Sequence, residues 1–296
     1  RKSGAGIKNG PAAGFLRHFV TPSLRHFVPM PNALRLALLK LAVRGLAKWK
    51  RVRFPERTLG GDEWVYRWRL DFLLNRYEAG TRVWCKRLVR PGMVVLDIGA
   101  HIGYYTRLLA RRVGDGGLVL AFEPCPENWA LLRHNVPPSR FKNVCIFDKA
   151  VSSRDGMARL FISPGHSNHS LIAGYTEPQG QVEVETVALD SFLPLHRVYR
   201  VDFAKIDVEG GEILVLEGAR QTVRRSLPGL YMVVEYNPVA LRAGGYLPRA
   251  LLHLLDEMGF RSYRIGPDGS LGEVDADSDE TVNLLCVPKG RPDPRR

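Results

Sequence analysis

Cysteine is scarce and scattered in this chain of 296 residues: Cys85, Cys125, Cys145 and Cys286 form no CxxC or Cys/His spacing. That excludes a disulfide framework and a zinc site built on such spacing, and makes the reducing cytoplasm the expected compartment. Long apolar runs are missing too. The most apolar segment, residues 33–47, is broken by Arg35, Lys40 and Arg44, short of the roughly 18–20 uninterrupted residues that a membrane-spanning helix needs. No fixed-period repeat occurs, which excludes solenoid and collagen-like arrays. No G-x-G-x-x-G occurs either, which removes the phosphate cradle of a dinucleotide site. Acidic residues are nearly absent from the N-terminal region: residues 1–57 hold 13 Lys/Arg against the single acid Glu56, so they carry +12 of the net +13. A nucleic-acid-binding body would spread its positive charge over the folded surface. Here the remainder is almost neutral, which disfavours a nucleic-acid partner.

What is present is ordinary globular composition, 45% apolar and 25% charged, enough to bury a full core in one or two domains. Residues 1–57 read as a basic extension. Up to Pro31 they are rich in Gly, Pro and Ser, and Pro22, Pro29 and Pro31 block a long helix, so a loosely ordered tail is expected. The chain opens on Arg1 rather than Met, which leaves room for a segment before it. From Asn32, a helix cap, the spacing predicts a helix to about Arg51. Leu38, Leu39, Ala42, Leu46 and Trp49 share one face of it, and Lys40, Arg44, Lys48 and Arg51 the opposite one. Such a helix can dock on an anionic membrane surface through residues 32–53, as a peripheral attachment, or pack its apolar stripe on the body; packing is the preferred reading. Residues 58–91 form a lead-in of two further helices, ended by Pro91 and Gly92.

Residues 92–290 alternate between two kinds of element. Short, apolar, β-branched runs at 94–98, 118–123, 144–147, 203–208 and 230–236 suit buried parallel strands. Helical patterns lie between several of them, at 104–113, 126–135 and 212–224. The alternation predicts an α/β fold: a doubly wound, Rossmann-like, mostly parallel sheet. Late strands at 260–265 and 282–287 are expected to close one edge. Runs at 159–163 and 181–189 break the alternation as an inserted β-hairpin around the polar loop 164–180, a candidate lid or substrate wall.

The first strand ends in Asp97-Ile98-Gly99-Ala100-His101-Ile102-Gly103, a D-x-G-x-x-x-G turn that leads from an acid through tight glycine turns into a helix. An acid at that strand end suits a cationic ligand group and repels a pyrophosphate. The second strand ends at Glu123-Pro124, where an acid accepts hydrogen bonds from both ribose hydroxyls of an adenosine. An acid-glycine turn, a ribose acid and no phosphate cradle together point to a nucleoside that carries an amino acid, S-adenosylmethionine. The fourth strand ends Asp207-Val208-Glu209-Gly210-Gly211-Glu212, and the fifth adds Glu235 and Asn237 to the same rim. Asp207 should face the cofactor's reactive region, with Glu209 beside it. Glu212 reads as a helix-end charge that suits the positive helix terminus.

D-I-G-A-x-I-G-Y-Y-T, F-E-P, K-I-D-V-E-G-G-E-x-x-V-L-x-G and V-E-Y-N-P occur in that order, with Tyr77-Glu78 before the sheet and residues 165–171 in the hairpin loop. Over about residues 76–288 the chain resembles the FkbM family of S-adenosylmethionine-dependent methyltransferases. The resemblance implies a class I methyltransferase fold, a seven-stranded sheet whose last strand is antiparallel. It also implies O-methyl transfer to natural products or to sugars of glycans. By resemblance Asp97, Gly99, His101, Gly103, Glu123 and Pro124 form the cofactor turn and ribose site, with Asp207 beside them. His101 stands where the family usually has Asn, Cys125 where an acid is common and Gly211 where Ala is common.

Methyl transfer to an alcohol needs alignment of the nucleophile and a base for its proton. Asp207 or Glu209 is the first choice as base, then His169 delivered by the loop; Glu235 is a further candidate. A divalent metal held by Asp207, Glu209, Glu235 and Asn237 could serve instead, and is not favoured. The expected reaction is O-methylation of a hydroxyl on a small-molecule or glycan acceptor: a sugar, glycolipid or secondary metabolite. The alternatives are a nucleic-acid methyltransferase that uses the basic tail and a non-catalytic adenosine-ligand binding protein. The sequence does not specify an oligomeric state.

Overall fold

The structure, a computed structural model, describes residues 32–55, 63–164 and 168–295. The chain divides into two units, Arg1–Leu38 and Leu39–Arg296. Of the first, residues 32–38 are described and form the opening turns of helix α1 (Asn32–Lys50). The tail expected over residues 1–31 and the loop residues Gly165, His166 and Ser167 lie outside the described residues.

The second unit holds the remaining helices and every named strand. The helices are α2 (Glu63–Leu74), α3 (Ala79–Leu88), α4 (Tyr104–Val113), α5 (Pro126–Asn135), α6 (Leu189–Leu195), α7 (Glu212–Glu217), α8 (Arg220–Ser226), α9 (Pro238–Ala243) and α10 (Pro248–Glu257). The strands are β1 (Val94–Ile98), β2 (Leu118–Phe122), β3 (Val144–Phe147), β4 (Ala150–Val151), β5 (Gly156–Ile162), β6 (Gly180–Val187), β7 (Phe203–Ile206), β8 (Tyr231–Tyr236), β9 (Phe260–Ile265), β10 (Leu271–Gly272) and β11 (Val282–Pro288). Helices α5, α9 and α10 each start on a proline, whose fixed φ suits the first helical position and whose missing N–H would find no partner there in any case.

The main sheet has the order β10-β9-β11-β8-β7-β1-β2-β3, and β1, β2, β3, β7 and β8 are parallel. Both faces are covered, which is why these strands read as continuous apolar runs. Leu96, Ile98, Leu120, Phe122 and Ile206 face one core; Val95, Val119, Ala121, Phe203 and Val233 face the other. Because the strands run in one direction, the ends of β1, β2, β7 and β8 reach one edge together, and the site forms there. This is the class I methyltransferase architecture, with eight strands.

Several expectations need correction. Strand β11 does not close an edge. It is inserted antiparallel between β8 and β9, and the two-residue β10 forms the edge beyond β9. The inserted hairpin is part of a separate three-stranded sheet, because β4 pairs in parallel with β6 while β5 pairs antiparallel with it. The helix expected over 212–224 breaks between α7 and α8, where the Asp190 carboxylate accepts from the N–H groups of Gln221 and Thr222 and caps a new helix. Over residues 39–50 of α1 the packed row is Leu39, Val43 and Leu46. Ala42 and Trp49, expected on the same face, are exposed.

Candidate active site

The turn after β1 is fixed by backbone geometry. Gly99 has φ +81°, and a Cβ there would come within 1.7 Å of the Asp207 carbonyl oxygen, so no side chain fits. The Gly99 and Ala100 N–H groups donate to the Phe122 carbonyl at 3.0 and 2.9 Å, which locks the turn onto the end of β2. Gly103 has φ +91°, and its missing side chain makes room for Leu132 and Val136 of the neighbouring helical segment rather than for a ligand. Asp97 is 1% exposed. Its Oδ2 accepts from the Thr106 hydroxyl at 2.5 Å, while Oδ1 is buried without a partner among the described residues. A buried, unmatched carboxylate oxygen is costly unless a donor or cation arrives.

Glu123 joins the first two strand ends. Its Oε2 accepts from the His101 N–H at 2.7 Å and its Oε1 from the Cys125 N–H at 3.0 Å. Burial raises its pKa to about 7 against the pull of these bonds. The Asn128 side chain also bonds to this carboxylate, so a ribose hydroxyl would share it with Asn128 rather than meet two open oxygens.

At the end of β7 the Lys205 ammonium, itself buried, pairs with Asp207 Oδ2 at 2.5 Å and lies 4.6 Å from the centre of the Tyr105 ring. Burial works against its charge, but Asp207, Glu78 and Asp97 prevail and hold Lys205 above the ordinary lysine range. Tyr105 in turn donates to Glu78 Oε2 at 2.7 Å. Lys205 also acts on Glu209 and Glu235. One buried lysine therefore serves five carboxylates, and the crevice is acidic overall. Burial, and then Asp207, raises Glu209 to about 8. Glu235 is raised well above the usual carboxylate range by burial, then by Glu209 and Asp207, and its Oε2 is buried without a partner.

The excursion between β5 and β6 is pinned over this rim. The Ser170 hydroxyl donates to the Glu209 carbonyl at 2.6 Å, and the Tyr175 hydroxyl donates to Glu209 Oε2 at 3.0 Å. Asn237 Nδ2 donates to the same Tyr175 oxygen at 2.8 Å, while Asn237 Oδ1 accepts from the Ala240 N–H and caps α9. His169 Nδ1 accepts from the Ser163 N–H at 3.1 Å. That bond occupies the lone pair a base would use and leaves the ring proton on Nε2.

One cavity collects most of the residues the sequence singled out. Gly99, His101, Glu123 and Pro124 line its cofactor side. His169, Asp207, Glu209 and Glu235 line it on the side of the loop and later strands. Asp97, Gly103 and Asn237 are set back from the lining. Carboxylate oxygens of Asp207, Glu209 and Glu235 lie within 4.8 Å of one another, close enough for a cation. Asn237 presents its amide nitrogen to that side, so its expected contribution of an oxygen is not made. Glu212 is fully buried, and its Oε1 accepts from the Val208 and Gly210 N–H groups. It holds the Asp207–Gly210 turn in addition to opening α7.

Residue-level reading missed Trp68 and Tyr175, and gave Tyr77 and Glu78 no role. Trp68, Tyr77 and Glu78 line the cavity from the helical lead-in. Tyr77-Glu78 was visible as part of the family resemblance, and Tyr175 is the sole Phe, Trp or Tyr of loop 164–180.

Residues 97–262 match the family model of the methyltransferase FkbM domain. Among characterised relatives, the 2-O-methyltransferase NoeI of Sinorhizobium fredii is 27% identical over 202 residues, covering 63% of this chain and 80% of that protein. The 31-O-demethyl-FK506 methyltransferase FkbM of Streptomyces tacrolimicus is 31% identical over 159 residues, covering 44% of this chain and 60% of that protein. Among solved structures, an O-methyltransferase from Bacillus cereus superposes with a TM-score of 0.43 at 13% identity, covering 88% of this chain and 93% of that one. The turn after β1, the acid after β2 and the carboxylates after β7 and β8 all fall within or beside the matched segment, and the chain belongs to the FkbM family of S-adenosylmethionine-dependent methyltransferases.

Proposed function

We propose that the protein transfers the methyl group of S-adenosylmethionine to a hydroxyl of a sugar, glycolipid or secondary metabolite, with Glu209 as the base. The observation that carries this reading is the setting of Glu209, a half-buried carboxylate in the cavity with a pKa raised to about 8 and Oε2 held by Tyr175. A base poised near working pH is the device an alcohol acceptor needs. The two relatives above are named for methyl transfer to oxygen.

S-adenosylmethionine, when bound, supplies a methyl group on a positively charged sulfur that leaves readily. The residues present fit it. Glu123 in the cavity wall supports a ribose contact, and the acidic crevice, with Asp97 behind its lining, suits a net cation. The chain's own work is then alignment of the acceptor and removal of its proton. Asp207 is engaged by Lys205, Glu235 is buried and raised well above the usual carboxylate range, and the His169 lone pair faces a backbone donor. Glu209 remains, and it lines the cavity. Lys205 offsets part of the negative charge of Asp207, Glu209 and Glu235, and the transfer is expected to proceed without a metal and to be insensitive to chelator.

Calorimetry with S-adenosylmethionine, followed by a labelled-methyl screen over carbohydrate, lipid and nucleic-acid fractions with and without chelator, tests the reading. Label should enter a carbohydrate or lipid hydroxyl. Glu209→Gln should lose about 10²- to 10⁴-fold in transfer while it still binds the cofactor. Label confined to nucleic acid, cofactor binding without transfer to any fraction, or a Glu209→Gln protein of normal rate would each overturn it.

A further inference from the structure

Away from the cavity, three arginines converge on one aromatic ring. Arg107, Arg111 and Arg140 lie 6.0, 5.7 and 5.9 Å from the centre of the Phe141 ring. Arg107 Nη2 donates to the Lys50 carbonyl at 3.3 Å, which brings the end of α1 to the same place. Arg107 is 7% exposed, and among the described residues its Nη1 has no hydrogen-bond partner. Arg107 and Arg111 stand four residues apart on α4, where like charges repel across one helical turn. Among the described residues neither the three arginines nor Lys50 is paired with a carboxylate. Burial, then Arg111 and Arg140, lowers Arg107 to about 10, and burial, then Arg107 and Arg111, lowers Lys50. The cluster is electrostatically unfavourable by itself, and cation–π contact with one ring offsets only part of that. An anion bound on its outer side would satisfy the rest, and arginine forks match the oxygens of a phosphate.

The surroundings indicate where the phosphate comes from. Lys50 Nζ also lies 5.9 Å from the Trp49 ring centre, and Trp49 is 76% exposed. Residues 39–55 carry six Lys/Arg and no acid. An exposed Trp beside a basic cluster matches the interfacial zone of a bilayer, where rings enter the headgroup layer and cations meet phosphates. A soluble phosphate ester would have no use for the exposed ring.

We propose that Arg107, Arg111 and Arg140, gathered around Phe141, bind with Lys50 the headgroup phosphate of an anionic phospholipid and dock the protein on that surface, with Trp49 entering the interface beside Lys50. Arg111 and Arg140 are exposed, so replacing them leaves the core intact.

The full chain is tested by vesicle flotation on phosphatidylcholine alone and on phosphatidylcholine with phosphatidylglycerol. Binding should need the anionic lipid and weaken with salt. Arg111→Ala/Arg140→Ala should partition roughly 30-fold more weakly, at about 1 kcal/mol for each basic group near the surface. Arg224→Ala/Arg225→Ala, an equal change of charge on α8, should float like the parent. Trp49→Ala should also weaken flotation, with cofactor binding unchanged in every variant. The proposal fails if Arg111→Ala/Arg140→Ala floats like the parent, or if both double variants lose binding equally. It fails too if inorganic phosphate raises the unfolding temperature of the parent and not of Arg111→Ala/Arg140→Ala while neither floats, which would leave a soluble phosphate site. Retention of duplex RNA lost in Arg111→Ala/Arg140→Ala, without flotation, would assign the cluster to nucleic acid instead.

Discussion

The Tyr175 hydroxyl lies 3.0 Å from Glu209 Oε2, and its own proton is directed there. Asn237 and Asn168 both donate to the phenol oxygen, at 2.8 and 3.2 Å, so its accepting capacity is filled and its single donor goes to the carboxylate. The bond favours the ionised form of Glu209 and opposes the burial that raises it to about 8. Tyr175→Phe should therefore move Glu209 further up. A hydrogen bond to a charged group contributes about 1.5–3 kcal/mol, or roughly one to two pH units. The acidic limb of the pH–rate profile should shift upward by that amount, with rates that approach the parent's at high pH and unchanged cofactor affinity. Initial rates across pH check this; an unmoved limb would mean that the bond does not act on the base.

Cofactor affinity should depend on pH through Glu123. Its carboxylate form is the one that accepts from a ribose hydroxyl, and burial lifts it to about 7. Affinity measured by calorimetry should rise as pH increases through 7 and then level off. Glu123→Ala should bind about 10- to 100-fold more weakly, by the loss of charge-assisted hydrogen bonds. Glu123→Gln should be no milder, because its NH₂ would meet the His101 or Cys125 N–H head on.

The legible part of this protein is the part governed by local pattern. The spans expected for α4 and α5 agree residue for residue with the structure, because a proline or a turn glycine opens each and a buried periodic face fills it. The acids at the ends of β1, β2 and β7 were readable because a parallel sheet brings all its carboxyl ends to one edge. The position of β11 was not readable, since nothing in a seven-residue apolar run tells whether it joins an edge or enters between two strands. The packed row of α1 was ambiguous for a related reason: Leu, Ala and Val surround much of the helix, and only the partners in α2 and α4 select Leu39, Val43 and Leu46. Asn237 was taken for an oxygen donor on the rim, although Asn followed by Pro is also a helix-cap signature, and that is the role of its oxygen. The bond from Tyr175 to Glu209 joins residues 34 apart, and only the folded chain shows it.

Glu212 should make stability fall as pH rises. Burial raises it to about 7 in the folded protein, while an unfolded glutamate titrates near 4.3. The folded state thus prefers the protonated form; the contribution is fully present below the unfolded value and is lost as pH climbs through 7. Glu212→Gln keeps an oxygen for the Val208 and Gly210 N–H groups and removes the ionisation. The margin of its urea midpoint over the parent's should be larger at pH 8 than at pH 5. Glu212→Ala frees both N–H groups and should be destabilised by about 1–3 kcal/mol at either pH.

Lys205 sets the charge balance of the whole rim, so its removal has the largest expected cost. Lys205→Met keeps the length of the side chain and its packing against Tyr105 but leaves Asp207 without its partner. Removal of one member of a buried pair costs about 3–5 kcal/mol. Asp97 and Glu78, which burial already pushes upward, also lose the cation that holds them down. Their folded pKa values rise further, so the folded variant prefers protonated acids and its deficit must grow with pH. Urea midpoints for parent and variant should lie closer together at pH 5 than at pH 8. A deficit independent of pH would show that Lys205 contributes packing alone, and the account of one lysine serving five carboxylates would fail with it.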